Sequence, residues 1–386
     1  MGVSMRASVF CMAKFHSFHM AQQLHRFDSL DRLYTSFYGG FGKRRNDHGI
    51  NLPKDKVRTN LIAALFTYTF LENPTTELWA WNYFGNWAAR FVDDQDIVIS
   101  WGLSALPIIR EAQKRGIVSI IERGSAHVVV QRDLLIAEHE KYGQPTDTLQ
   151  RSFSPQRMER ELLEYELADY IEVPSEFAKR SFMEQGLPEE KLIKRFLSAD
   201  LSDFYELPKE DDIFRVVYTG QMSLRKGVHY LLQAFNELNL PEAELWLIGS
   251  QLPEIAPFFE RYKENYKYFG YVPRAELHKY YASASVFAIC SIEEGLAQVI
   301  PQAMACGLPV ICTTNTGGED VIEDQIEGFV IPIRNVQAIK DKILFLYENR
   351  DVCYQMGQAA KKRVQNALTW DDYGNFMMKQ FTRILG

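Results

Sequence analysis

Two polar clusters in the second half of the chain have the residue types and spacing for ligand chemistry. One is Glu294-Gly295-Leu296-Ala297-Gln298-Val-Ile-Pro-Gln302, which follows the apolar run from Ser285 to Cys290. The run predicts a buried strand. The pattern after it predicts a helix to Cys306, ended by Gly307 and Pro309. A strand, an acidic turn and a helix start make a polar ligand site, because helix-start amides point outward and a carboxylate accepts hydroxyl protons. Glu293 stands one residue away, and Gly295 sets the register in favour of Glu294. The other cluster is Gly220-Gln-Met-Ser-Leu-Arg225-Lys226-Gly227, also between a strand and a helix. Two cations at a helix N-terminus oppose its dipole and suit a diphosphate, the lysine as a point charge and the arginine as a fork. A carboxylate for sugar hydroxyls and a cation pair for phosphates predict a nucleotide-sugar ligand.

The elements that must position these clusters are strands alternating with helices. Apolar runs at 7–13, 33–37, 96–100, 117–121 and 170–173 predict five strands in the first half. Runs at 214–219, 244–248, 267–270, 286–290, 310–313 and 328–331 predict six more. Helical patterns lie between them, including 154–169 and 175–185, and an amphipathic helix runs from Trp370 to Ile384. This alternation predicts an α/β chain with parallel sheets. Pro208 and a group of acids break the pattern between Leu201 and Asp212, where a linker is expected.

Composition sets the outer bounds. A chain of 386 residues exceeds one ordinary core, so two domains are expected. Its hydrophobic content of 46% and charged content of 24% are those of a globular protein. The net charge of −7 argues against a nucleic-acid binder. Residues 1–60 are locally basic, with Arg6, Lys14, Arg26, Arg32, Lys43, Arg44, Arg45, Lys54, Lys56 and Arg58 against four aspartates. Cys11, Cys290, Cys306, Cys312 and Cys353 form no Cys-x-x-Cys pair, so buried free thiols are expected and the compartment is read as cytoplasmic. No leader or membrane-spanning run is recognised.

From about Ala168 onward the chain resembles the retaining glycosyltransferases of family 4 (glycosyl transferases group 1). The motifs are Arg225-Lys226-Gly227, Glu294-Gly295, the segment from Ala168 to Phe177, and Gly317-Gly318 with Gly328 to Pro332. Leu296 and Ala297 replace the usual Phe and Gly, and Gln302 stands where a second Glu is usual. The resemblance implies a GT-B fold, two Rossmann-like domains facing each other across a cleft. Residues 1–205 would bind the acceptor, 206–367 the donor, and a helix over 368–386 would cross back onto the first domain. It implies transfer from a UDP- or GDP-linked sugar to a hydroxyl of a glycan, glycolipid or small molecule, with retention and no metal or other cofactor. Retention would follow from front-face displacement within an ion pair.

By the same resemblance, His127, Arg225, Lys226 and Glu294 would carry the reaction. Donor contacts would come from Gly220, Arg225, Lys226, Glu294, Gly295, Leu296, Ala297, Gln298 and Gln302, with Gln302 on the ribose. Acceptor contacts would come from His16, Ser17, His19, Arg123 and Ser125. Each has a plainer alternative: a capping or core histidine at 127, a helix-face glutamine at 302. The aromatic segment 77–91 is read as packing against a sheet, or with Lys43-Arg44-Arg45 as a peripheral membrane contact. Two other functions stay open: a nucleotide-sugar-binding protein with little or no activity, and a nucleotide-sugar epimerase. Asp93-Asp94-Gln-Asp96 is the nearest approach to a metal-binding Asp-x-Asp, and a solvated acidic turn is the simpler reading.

Overall fold

Among the described residues, thirteen strands, each parallel to its neighbours, form two sheets. The computed structural model describes residues 5–13, 16–38, 51–69, 74–195, 198–365 and 369–386. Lys14 and the basic triplet Lys43-Arg44-Arg45 lie outside the described residues. The first sheet holds β1 (Ala7–Phe10), β2 (Leu30–Thr35), β3 (Val57–Thr59), β4 (Ile97–Trp101), β5 (Val118–Glu122), β6 (Tyr170–Val173) and β7 (Leu192–Lys194). Its order is β3-β2-β1-β4-β5-β6-β7. The second holds β8 (Phe214–Thr219), β9 (Ala243–Ile248), β10 (Lys267–Tyr268), β11 (Val286–Ile289), β12 (Val310–Thr313) and β13 (Gly328–Ile331), in the order β10-β9-β8-β11-β12-β13. Parallel strands covered on both faces need continuous apolar runs. Every residue of β1, β8, β11 and β12 is accordingly buried.

In each sheet the strand order reverses once, between β1 and β4 and between β8 and β11. Loops leaving the C-terminal ends of such a pair diverge and open a crevice, where ligands bind in open α/β sheets. Both sequence clusters fall there. Gly220 to Gly227 follows β8, and Glu293 to Gln298 follows β11. On the first sheet, the loop after β1 brings His16, and the C-terminal ends of β4 and β5 bring Trp101 and Glu122, to the matching edge.

The helix Trp370–Leu385 lies on the helix Ser17–Arg26 and buries Tyr373, Met377 and Phe381 in the core that contains Ala7, Val9, Ile97 and Ile99. A capping box between Thr369 and Asp372 starts it, and Arg26 pairs with Asp371 at 2.8 Å. The aromatic helix Pro74–Ala88 packs Trp81 and Phe84 against Phe10 and Tyr34, so these rings serve the core, while Trp79 is half exposed. The neighbouring helix Leu61–Thr69 exposes Leu61 by 65% and Ile62 by 52%. All five cysteines are free and buried.

Candidate active site between the two domains

Arg225 and Lys226 are presented by a turn that only glycine can close. Gly227 has φ +64°, and a Cβ there would stand 1.8 Å from the Cys290 carbonyl oxygen. The turn is tied to the loop after β11 by Ile292 N–H donating to Arg225 O at 2.8 Å. The two clusters therefore meet. Lys226 forms an ion pair with Glu294, and Arg225 Nη2 pairs with Glu293 Oε2 at 2.9 Å. Arg225 Nε also donates to the Glu293 carbonyl at 3.1 Å. The four residues make one alternating cluster of charge.

Glu294 sits half-open at the head of an irregular turn, and the helix Val299–Ala305 begins only after Gln298. The turn is held by Glu294 N–H to Asn315 O at 2.9 Å and Ala297 N–H to Thr316 O at 3.0 Å. This corrects the reading of Ala297: its amide is committed to Thr316 and its side chain is buried in the core of the second domain. Gln298 is exposed and Leu296 half-buried. Gln302 is buried on the helix Val299–Ala305. Gly220 follows β8 with φ +141° and donates its N–H to Ile248 O at 2.9 Å.

The first domain closes over this cluster through the loop from Glu122 to His127. A Cβ on Gly295 would stand 1.9 Å from the Gly124 carbonyl oxygen, so the two backbones touch. Ala126 N–H donates to Glu293 Oε1 at 3.2 Å. Farther along, Glu138 is fully buried and accepts from His229 at 2.9 Å, Tyr230 at 2.6 Å and Arg334 at 2.5 Å. Burial alone would raise its pKa, but these hydrogen bonds outweigh it and hold the carboxyl at about 2.

Three first-domain expectations are corrected. His127 does not face the cleft. It caps the helix Val128–Lys141, accepting from Val129 N–H at 3.3 Å, and packs between Tyr165 and Phe182. Burial, with Arg123 nearby, brings its pKa down to about 4, so the ring is neutral. Arg123 spends its fork on Glu161 at 2.9 Å and Gln131 at 2.8 Å, which shapes the loop from within. His19 stacks on Trp370 at 3.7 Å, turned toward the C-terminal helix. Ser125 is half-buried in the loop.

His16 and Ser17 do come together, around residues the sequence reading missed. Ser17 donates to Glu122 Oε2, and His16 Nε2 lies 3.1 Å from Glu122 Oε1. Glu172 and Arg195 complete the group, 3.7 Å apart. Glu122 and Glu172 are both buried. Burial and the neighbouring Glu122 raise Glu172 to about 8. For Glu122, burial opposes ionisation but His16, Ser17 and Arg195 prevail and lower its pKa. The available signal was a glutamate interrupting the apolar run at the C-terminal ends of β5 and β6, where function concentrates in parallel sheets. Three of the group, His16, Glu122 and Glu172, bring one ligand atom each within 4.8 Å of one another. Arg195 already supplies a cation there, in contact with His16. The Asp-x-Asp candidate is consumed by scaffold pairs, Asp94 with Arg6 at 2.6 Å and Asp93 with Arg115 at 3.3 Å.

Comparison with known proteins bears on the fold and on the second domain. Sucrose-phosphate synthase from Thermosynechococcus elongatus superimposes with a TM-score of 0.67 over 98% of this chain and 99% of that one, at 18% identity. HepE from Anabaena does so with a TM-score of 0.69 over 98% and 100%, at 15% identity. The fold is GT-B. Residues 202–363, most of the second GT-B domain, match the family described as glycosyl transferases group 1. The putative glycosyltransferase EpsD of Bacillus subtilis is 29% identical over 158 residues, 40% of this chain and 41% of that protein. The chain spans about half the length of the curated relatives it matches. Among the described residues no helix is long and apolar enough to cross a membrane.

Proposed function

We propose that this GT-B protein is a glycosyltransferase moving a hexose from a UDP- or GDP-linked donor to an acceptor hydroxyl. The observation that carries the reading is the meeting of Arg225 and Lys226 with Glu294 at the switch point of the second sheet, against a loop of the first domain. The match to the group 1 family over the same residues supports it. HepE was captured in complexes with UDP and with UDP-glucose, which supports a diphosphate sugar as donor. The relatives favour neither a pure binding protein nor an epimerase.

The chemistry follows from charge. The two cations stabilise the diphosphate as the bond from the anomeric carbon to its phosphate oxygen breaks. Glu294 holds donor-sugar hydroxyls once its pairing with Lys226 is shared with the diphosphate. The acceptor oxygen bonds to the same face of the anomeric carbon, and its proton passes to the departing phosphate oxygen, giving retention. Gln302 would hold the ribose. As a neutral group it would bind more weakly than a carboxylate by about 1 kcal/mol. The cations supply the charge that a divalent ion would otherwise bring.

Incubation with UDP-glucose, UDP-N-acetylglucosamine, UDP-galactose and GDP-mannose tests this. One of them is expected to raise the melting temperature and to be turned over slowly, at the same rate in excess EDTA. A strict requirement for magnesium or manganese would sink the metal-free reading, and no response to any donor would sink the transferase.

A peripheral membrane contact is proposed for the first domain. Exposed Leu61 and Ile62 closely follow exposed Lys54 and Arg58 along the chain, the apolar-plus-basic combination that anionic bilayers select. Cosedimentation with phosphatidylglycerol vesicles at low salt is expected, with loss on Leu61→Ser with Ile62→Ser. Equal sedimentation of both proteins would remove this face from the contact.

A further inference from the structure

Glu293, set aside in favour of its neighbour on sequence grounds, is the residue through which the two domains meet at the phosphate-binding arginine. Its side chain is fully buried. Oε1 accepts from Ala126 N–H at 3.2 Å. Oε2 accepts from Gln131 Nε2 at 3.0 Å and pairs with Arg225 Nη2 at 2.9 Å. Donors from both domains thus converge on one carboxylate, and a buried carboxylate keeps its charge only with such partners. On the other side of the pair, Nε and Nη2 of Arg225 are both fixed by Glu293, through its carbonyl and its carboxylate. Among the described residues, Nη1 and the second N–H of Nη2 are the donors left to meet an anion. Gln131 is itself held by Arg123 at 2.8 Å, and Arg123 by Glu161 at 2.9 Å. A continuous run of polar contacts therefore leads from the first domain to the Arg225 guanidinium.

We propose that Glu293 is the positioning residue for the donor diphosphate: it orients the Arg225 fork, and it does so fully only when the Ala126–Gln131 segment of the first domain is docked on it. This rests on the transferase reading above. Gripping the diphosphate and closing the domains then become one event, because the same carboxylate serves both. Glu294 plays no part in this coupling, since its partner Lys226 belongs to its own domain.

A double-mutant cycle tests the proposal. Dissociation constants for UDP and GDP are measured by calorimetry on the wild type, Glu293→Gln, Arg225→Ala and the double variant, using whichever nucleotide the wild type binds more tightly. Each single change is expected to weaken binding about tenfold or more, and the double variant little more than either alone. Gln131→Ala is expected to weaken binding several-fold in the wild-type background and hardly at all beside Glu293→Gln. Losses that multiply in the cycle, or a Gln131→Ala effect that survives beside Glu293→Gln, overturn the proposal, because a merely structural carboxylate would act independently of Arg225. If Glu293→Gln does not fold, Glu293→Asp, which keeps the charge but shortens the reach, replaces it under the same criteria. A wild type that binds neither nucleotide overturns the transferase reading and this proposal with it. Binding with multiplying losses overturns this proposal alone.

Discussion

Arg225→Ala with Lys226→Ala is expected to lower turnover of the donor at least a hundredfold. Two charge-assisted contacts to a leaving diphosphate are worth about 1.5–3 kcal/mol each, and they matter most as its charge develops. Neither side chain is part of a hydrophobic core, so both domains remain folded. Stability still falls somewhat, because Glu293 is fully buried and loses the cation that neutralises it. Arg225→Lys with native Lys226 separates the two effects: it restores a charge beside Glu293 but not the fork, so stability recovers more than turnover does. Initial rates with the preferred donor, beside thermal melting of each variant, decide the matter. Near-wild-type rates in the double alanine variant would place the diphosphate elsewhere.

Gly295→Ala is expected to cost about a hundredfold in turnover, the scale of an ångström-sized misplacement of reacting groups. The argument is steric. The added methyl would sit 1.9 Å from the Gly124 carbonyl oxygen and 3.1 Å from the Pro174 ring. Backbone cannot yield as a flexible side chain can, so the domains must part. The hydrophobic cores on either side are untouched, and the melting temperature of the separate domains is kept. Small-angle scattering should show a larger radius of gyration together with the loss of activity. An unchanged radius and normal rates would mean that the contact between Gly124 and Gly295 is dispensable.

Much of the architecture was readable because parallel strands are continuous apolar runs. β6, β8, β12 and β13 fall where the runs predict them, and β1, β2, β4, β5, β9, β10 and β11 overlap theirs with shifted ends. Two strands were not readable. β3 (Val-Arg-Thr) and β7 (Leu-Ile-Lys) are three residues each on opposite edges of the first sheet, too short and too polar to stand out. The site divides the same way. Arg225, Lys226 and Glu294, which the structure brings together, could be singled out because each belongs to a local turn motif. The salt bridge between Lys226 and Glu294 joins positions 68 apart, and Glu293 gathers partners from positions 126, 131 and 225. Such convergence is a property of the folded chain. His127 shows the opposite error. A histidine after a strand is equally a helix cap, and only its packing between Tyr165 and Phe182 separates the two.

The helix Trp370–Leu385 has a consequence for biosynthesis. Its Tyr373, Met377 and Phe381 complete a core otherwise built mainly from the strands and the first helix of the first domain, among them Ala7, Val9, Phe18 and Leu24. On the ribosome those early strands emerge first, yet they lack part of their apolar cover until residues 370–385 have followed. Among the described residues, none beyond 365 belongs to the core of the second sheet and its helices. Domains fold as units when their segments are available. The later-synthesised half can therefore be finished while the earlier half still exposes the hydrophobic surface that chaperones bind.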